Sequence, residues 1–104
     1  MEQHIQFTKS FDGVSICYAT AGEGPPLVKA ANWLTHLEFD LGSPVWRHMW
    51  EELSKDHLLV RYDERGCGLS DWDVQDLSFD SWVSDLESVV AAARLDRFAL
   101  LGIS

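Results

Sequence analysis

Short aliphatic runs alternate along this chain with longer stretches in which apolar residues recur at helical spacing, and that alternation is how a parallel sheet with crossover helices reads in sequence. His4 to Ser10 alternates apolar and polar residues around Ile5 and Phe7. Phe11-Asp12-Gly13 then supplies an Asp-Gly turn before a second run, Val14 to Thr20, so the two predict an antiparallel hairpin. After the loop Ala21-Gly22-Glu23-Gly24-Pro25-Pro26, Leu27 to Ala31 reads as a short third strand. Lys29 lies inside it and is expected to snorkel at an edge of the packing.

Ser43-Pro44 has the form of a helix start, with serine as N-cap and proline at the first helical position, where a missing N–H costs nothing. Val45, Trp46, Met49, Trp50 and Leu53 follow on one face, which is expected to be core. His57 to Tyr62 reads as a strand covered on both sides, ending in the glycine-rich turn Asp63-Glu64-Arg65-Gly66-Cys67-Gly68. A second helix is expected from near Ser78, its core stripe formed by Phe79, Trp82, Val83, Leu86, Val89, Val90 and Ala93, with Asp80 near its positive end. Arg94 closes it, and Arg97 to Gly102 makes a fifth, buried-looking strand.

Composition narrows the partners. With 104 residues the chain is at most one small domain, and 46% hydrophobic residues exclude a disordered segment. A formal charge of -9 argues against nucleic acid or an anionic membrane as partner, since both require Lys/Arg clusters. No apolar stretch reaches membrane-spanning length, and Met1-Glu2-Gln3-His4 lacks the basic and apolar regions of a signal peptide, so a cytoplasmic location is expected. Cys17 and Cys67 match no metal spacing or disulfide framework and read as reduced thiols. The Glu51-Glu52 and Asp71-Asp73-Asp76 carboxylates read as solvated faces, so neither a metal nor a cofactor is expected.

The chemistry concentrates at Leu101-Gly102-Ile103-Ser104. An apolar strand running into Gly-x-Ser is the first half of a nucleophile elbow, G-x-S-x-G, where small residues let the backbone bend sharply around an exposed serine. Two further motifs are Leu27-Val28-Lys29-Ala30-Ala31-Asn32-Trp33 and Tyr62-Asp63-Glu64-Arg65-Gly66-Cys67-Gly68-Leu69-Ser70. Together these resemble the N-terminal half of the α/β-hydrolase superfamily, in which a strand is followed by His-Gly and a later turn reads D-x-R-G-x-G-x-S. The wording of Lys29 to Leu34 is similar to bacterial hydrolase domains that stand alone or are fused to nucleotide cyclases or helix-turn-helix regulators.

The resemblance implies a three-layer α/β fold with a mostly parallel sheet in the order 1-2-4-3-5 behind an N-terminal antiparallel hairpin. It implies Ser104 as nucleophile, the backbone N–H of Trp33 as an oxyanion donor, and an acid and a base beyond residue 104. On this reading residues 1–104 are a partial domain ending at the elbow, a piece of a longer protein whose remainder completes the same domain. Asp63 and Arg65 are expected to organise their turn through charge-assisted hydrogen bonds, with Gly66 and Gly68 giving backbone freedom. Ala31-Asn32 departs from His-Gly, although Asn is the residue other than Gly that best tolerates left-handed angles.

None of His4, His36, His48 and His57 is placed to be the base; His36 is the one near the expected oxyanion loop. Trp46, Trp50 and Trp82 fall on helix faces and read as core, whereas Trp33 and Trp72 fall in loops at the carboxyl ends of strands, where ligands bind in open α/β sheets. The possible substrate pocket is therefore Trp33, Trp72 and His36. The expected activity is cleavage of a small ester, lactone or thioester through an acyl-enzyme. The alternative is a sensor that binds a small ligand in the same pocket without chemistry. Peptidase and peroxidase variants of the same triad stay open.

Overall fold

A computed structural model describes residues 2–32 and 35–103; Met1, Trp33, Leu34 and Ser104 lie outside the described residues. Five strands, β1 (His4–Lys9), β2 (Ser15–Ala21), β3 (Pro26–Lys29), β4 (Leu58–Tyr62) and β5 (Ala99–Leu101), form one sheet in the order β1-β2-β4-β3-β5. β2 is antiparallel to both β1 and β4, and β3 is parallel to β4 and β5. Four of the five strands therefore point the same way, and β2 alone is reversed. The expected hairpin forms, with Lys9 opposite Ser15 and Gly13 at φ 85°.

Each parallel connection carries a helix: α1 (Arg47–Asp56) between β3 and β4, preceded by the 3-10 turn Phe39–Gly42, and α2 (Phe79–Ala92) between β4 and β5. The two-residue period of the strands assigns their faces. Val28 and Val60 join Ile16, Tyr18, Tyr62 and Val89 in the core under α2. Leu27 and Leu59, one residue away, pack with Trp50 of α1 on the opposite face. Lys29 and Arg61 are register partners two residues beyond Leu27 and Leu59, so parity puts both cations on the α1 face. Among the described residues no helix is long and apolar enough to cross a membrane.

Several packing expectations need correction. Ser43 does cap, its Oγ accepting the N–H groups of Val45 and Trp46 at 3.1 and 3.3 Å, but the regular helix begins only at Arg47. Val45 thus belongs to the entering turn, out of phase with the helix, and is 72% exposed; Trp46 and Met49 are also exposed, leaving Trp50 as the buried residue of α1. On α2, capped by Ser78 as expected, the buried line is Ser81, Asp85 and Val89, not the aromatic end of the stripe. Asp85 must face inward to reach Arg65, and this rotation leaves Phe79, Trp82 and Val83 exposed while Leu86 and Val90 still touch the core. Phe98 and Leu100 are exposed too; among the described residues β5 pairs with β3.

Candidate functional site

The turn after β4 is held by two fully buried ions. Asp63 Oδ2 accepts the N–H groups of Leu37 and Leu69 at 3.2 and 2.9 Å, and its Oδ1 accepts the Thr35 hydroxyl at 3.0 Å. One carboxylate thereby fixes the loop after β3 and the loop after β4 against each other. Gly66 and Gly68 have φ of 85° and 52°; a Cβ on Gly68 would collide with the Asp63 carboxylate and come within 2.8 Å of the Thr35 carbonyl.

Arg65 uses all five of its N–H donors. Nε and Nη2 make a fork on Asp85 at 2.8 and 2.7 Å, Nη1 and Nη2 grip Asp12 at 2.7 and 3.1 Å, and Nη1 also donates to the Asp76 carbonyl at 3.0 Å. The turn is thus pinned to α2 and to the β1–β2 hairpin. Hydrogen bonds donated to Asp85 and then to Asp12 raise the Arg65 pKa, and the bond accepted from Arg65 holds the Asp12 carboxyl below its usual range. Asp85 was not legible as a partner in the sequence. Its one signal is that it lies four residues from both Ser81 and Val89, on the line that faces inward.

A cavity of about 170 Å³ opens at the carboxyl ends of β3 and β5, the position where ligands enter open α/β sheets. Lys29 and Asn32 line it from the end of β3, Thr35 and Asp40 from the segment that follows, Trp46 and Trp50 from the start of α1, and Ile103 from the end of β5. Lys29 does not snorkel to an edge: it is 4% exposed, and its ammonium donates to Asn32 Oδ1. Burial pushes the Lys29 pKa down, opposed by Asp40. Lys29 Nζ and Arg61 Cζ lie 5.9 and 5.0 Å from the Trp50 ring centroid, and Trp46 stacks on Trp50 at 6.1 Å.

Arg61, also buried, donates to Gln3 Oε1 at 2.8 Å and the Leu37 carbonyl at 3.3 Å, with Asp40 4.0 Å from Nη1. Burial raises the Asp40 pKa, opposed by the His36 N–H. The indole N–H of Trp50 is buried with no hydrogen-bond partner among the described residues. Lys29, Asn32, Thr35, Asp40, Trp46 and Trp50 were all missed as site residues, because helical phase assigned the tryptophans to core and the inward face of Lys29 depends on strand pairing.

Of the expected pocket residues, Trp72 and His36 do not line this cavity. Trp72 is 72% exposed, its Nε1 donates to the Gly68 carbonyl at 2.7 Å, and it lines a separate depression with Thr35, Gly66, Cys67 and Gly68. Thr35 is shared by the two hollows; Trp72 does not line the cavity. His36 does not line it either: Nδ1 accepts the N–H groups of Glu38 and Phe39, both at 3.2 Å, and the ring stacks on Phe39. Its imidazole therefore shapes the loop. Trp33 and Ser104 lie outside the described residues. Neither cysteine is in a disulfide, and burial pushes the Cys17 thiol up to about 12, far from a reactive thiolate.

No protein-family model matches the sequence. Among solved structures, the chain is similar to the esterase RhEst1 from Rhodococcus sp. ECU1013, with 32% identity, a TM-score of 0.81, and coverage of 96% of this chain and 36% of that one. A hydrolase from Pseudomonas aeruginosa PA01 superposes with TM-score 0.82 at 24% identity, over 97% of this chain and 37% of that one. An alpha/beta hydrolase from Sphaerobacter thermophilus gives 0.76 at 28% identity, over 95% and 35%. The chain spans a little over a third of the length of these proteins. Strand order, helix placement and these superpositions together give the chain the α/β-hydrolase fold.

Proposed function

We propose that these residues supply the first five strands and the elbow of a serine-dependent α/β-hydrolase that cleaves a small ester, lactone or thioester. The observation that carries the reading is the position of the cavity where β3 and β5 end side by side, joined by the Ala30 N–H bond to the Leu101 carbonyl at 2.8 Å. Asn32 and Ile103 both line it, and their next neighbours in the chain are Trp33 and Ser104. On this reading the nucleophile and an oxyanion donor come from the residues that follow Ile103 and Asn32 in the chain, two positions that line one cavity. The similarity to an esterase at 32% identity supports the same reading.

In this mechanism Ser104 Oγ attacks the carbonyl carbon while a histidine C-terminal to these residues takes the hydroxyl proton. The Trp33 N–H donates to the oxyanion of the tetrahedral intermediate. Collapse breaks the bond to the leaving oxygen or sulfur, which departs with the proton from the histidine. Water then repeats the sequence on the acyl-enzyme, restoring the serine and releasing the acid.

A specific observation favours the sensor as second reading: Asn32 stands where the resembled family has glycine, and its side-chain oxygen is held by Lys29. Ser104→Ala in the intact protein separates the two. A hydrolase loses several powers of ten in kcat, as is usual for a triad nucleophile, with ligand affinity nearly kept. A sensor keeps its response in Ser104→Ala and loses it in Trp33→Ala. Hydrolysis unchanged by Ser104→Ala would remove the serine mechanism.

A further inference from the structure

The cavity at the carboxyl ends of β3 and β5 holds donors without acceptors among the described residues. Lys29 carries three N–H bonds, and among the described residues Asn32 Oδ1 is its hydrogen-bond acceptor. No described carboxylate lies within 4.0 Å of its nitrogen, the limit at which the Arg61–Asp40 pair stands. Because its oxygen faces Lys29, Asn32 has its two amide N–H groups left to give. Trp50 adds the buried indole N–H that lacks a partner. The buried members of this set, Lys29 and Trp50, are costly unless something supplies acceptors. Asp40, the carboxylate on the wall, is turned to the His36 N–H at 3.4 Å and to Arg61.

We infer that this cavity is an acyl-group subsite for substrates whose acyl chain ends in a carboxylate, with Lys29 as the residue that binds the carboxylate and Asn32 and Trp50 as supporting donors. This rests on the serine-hydrolase reading for the reaction, though not for the binding. Size sets the chain length. A cavity of about 170 Å³ is close to one that accommodates a benzene ring, roughly 150 Å³. A cavity of that size holds an acyl chain of about two or three carbons ahead of the terminal carboxylate. Succinyl and glutaryl esters or thioesters are the class that fits. The walls above this group are aromatic, so a neutral chain of the same length gains apolar contact but leaves the ammonium unpaired.

The experiment compares hydrolysis of an aryl hemisuccinate with that of the matched aryl butyrate by the intact protein. Expected is a kcat/KM ratio of about 10–100 in favour of the hemisuccinate, the worth of one or two hydrogen bonds to a charged group. That ratio falls toward one in Lys29→Met, whatever the absolute rates. A ratio near one in the unmutated protein, or a high ratio kept in Lys29→Met, overturns the inference. Should Lys29→Met fail to fold, Trp50→Phe, which removes the indole N–H together with part of the ring's volume, must lower the ratio several-fold, since the lost volume touches both esters alike while the lost donor touches the hemisuccinate alone; an unmoved ratio counts against the inference.

If neither ester is hydrolysed, the catalytic reading fails while the subsite remains testable. Calorimetry with free succinate and butyrate then decides: succinate binding that weakens in Lys29→Met, or in Trp50→Phe where Lys29→Met does not fold, sustains the inference. Absence of succinate binding ends it.

Discussion

Two buried cations sit at the carboxyl ends of neighbouring strands, and the fold treats them in opposite ways. Arg65, just after β4, has every donor on an oxygen and two carboxylates gripping it. Lys29, the last residue of β3, has among the described residues one neutral hydrogen-bond acceptor and a tryptophan face, with the Asp40 charge acting from beyond ion-pair distance. Burying a charge is expensive, and full pairing by two carboxylates and a carbonyl offsets that cost at Arg65. The offset is missing at Lys29. Within one sheet edge, then, satisfied charge marks the scaffold and unsatisfied charge marks the place left open to a ligand.

The contrast breaks first at Arg65. Arg65→Met in the intact protein removes both forks and strands Asp85, a buried carboxylate, so a loss of about 3–5 kcal/mol is expected by urea denaturation. That is a large share of a small domain's total of roughly 5–15 kcal/mol. A loss below about 1 kcal/mol would mean the turn does not depend on its ion cluster. Gly68→Ala should cost less, about 1–3 kcal/mol, since it forces a side chain onto φ 52° and against Asp63. If Asp63 is what ties Thr35 to the turn, the same variant also moves the cavity wall at Thr35.

Much of this architecture was readable from sequence patterns. The Asp12-Gly13 turn, the five apolar runs and the Ser78 cap are local signals set by backbone chemistry, and all appear near their expected positions. What was not readable depends on rotation and register. The stripe on α2 pointed to Phe79 and Trp82, but the need of Arg65 for Asp85 turned the helix away from them. Lys29 read as an edge residue because its inward face follows from pairing with Arg61, a contact between segments 32 residues apart in sequence. Trp72 and His36 fell in the right loops, yet each spends its polar atom on the loop itself and neither reaches the cavity.

Lys29→Met sharpens the comparison by its small effect on folding. Burial lowers the Lys29 pKa from 10.5, so the unfolded chain binds more protons between the folded value and 10.5, and stability from this group rises as pH climbs through that window. Methionine removes the desolvation cost and keeps the volume. Denaturation at pH 7 should therefore show a change within about 1 kcal/mol, in either direction, against several for Arg65→Met. The mutant should also lack the alkaline rise. A loss as large as that of Arg65→Met would make Lys29 a structural ion after all.

The smallest effect belongs to Asp12, the solvent-facing half of the Arg65 cluster. Its bond to Arg65 depresses its pKa below 3.8, so the unfolded chain holds the extra proton at low pH. The stabilisation is present in full above 3.8 and is lost as pH falls through the folded value. Asp12→Asn should consequently weaken the protein modestly at neutral pH, and the gap to the unmutated protein should close in acid. Added salt should narrow it as well, because the Asp12 side chain is 27% exposed and its attraction is screened, whereas Asp85 at 2% is not. Asp12 also accepts the Val14 N–H at 3.5 Å within the hairpin turn. A gap that stays constant from neutral pH to acid would assign the loss to that turn geometry and leave Asp85 as the carboxylate that balances Arg65.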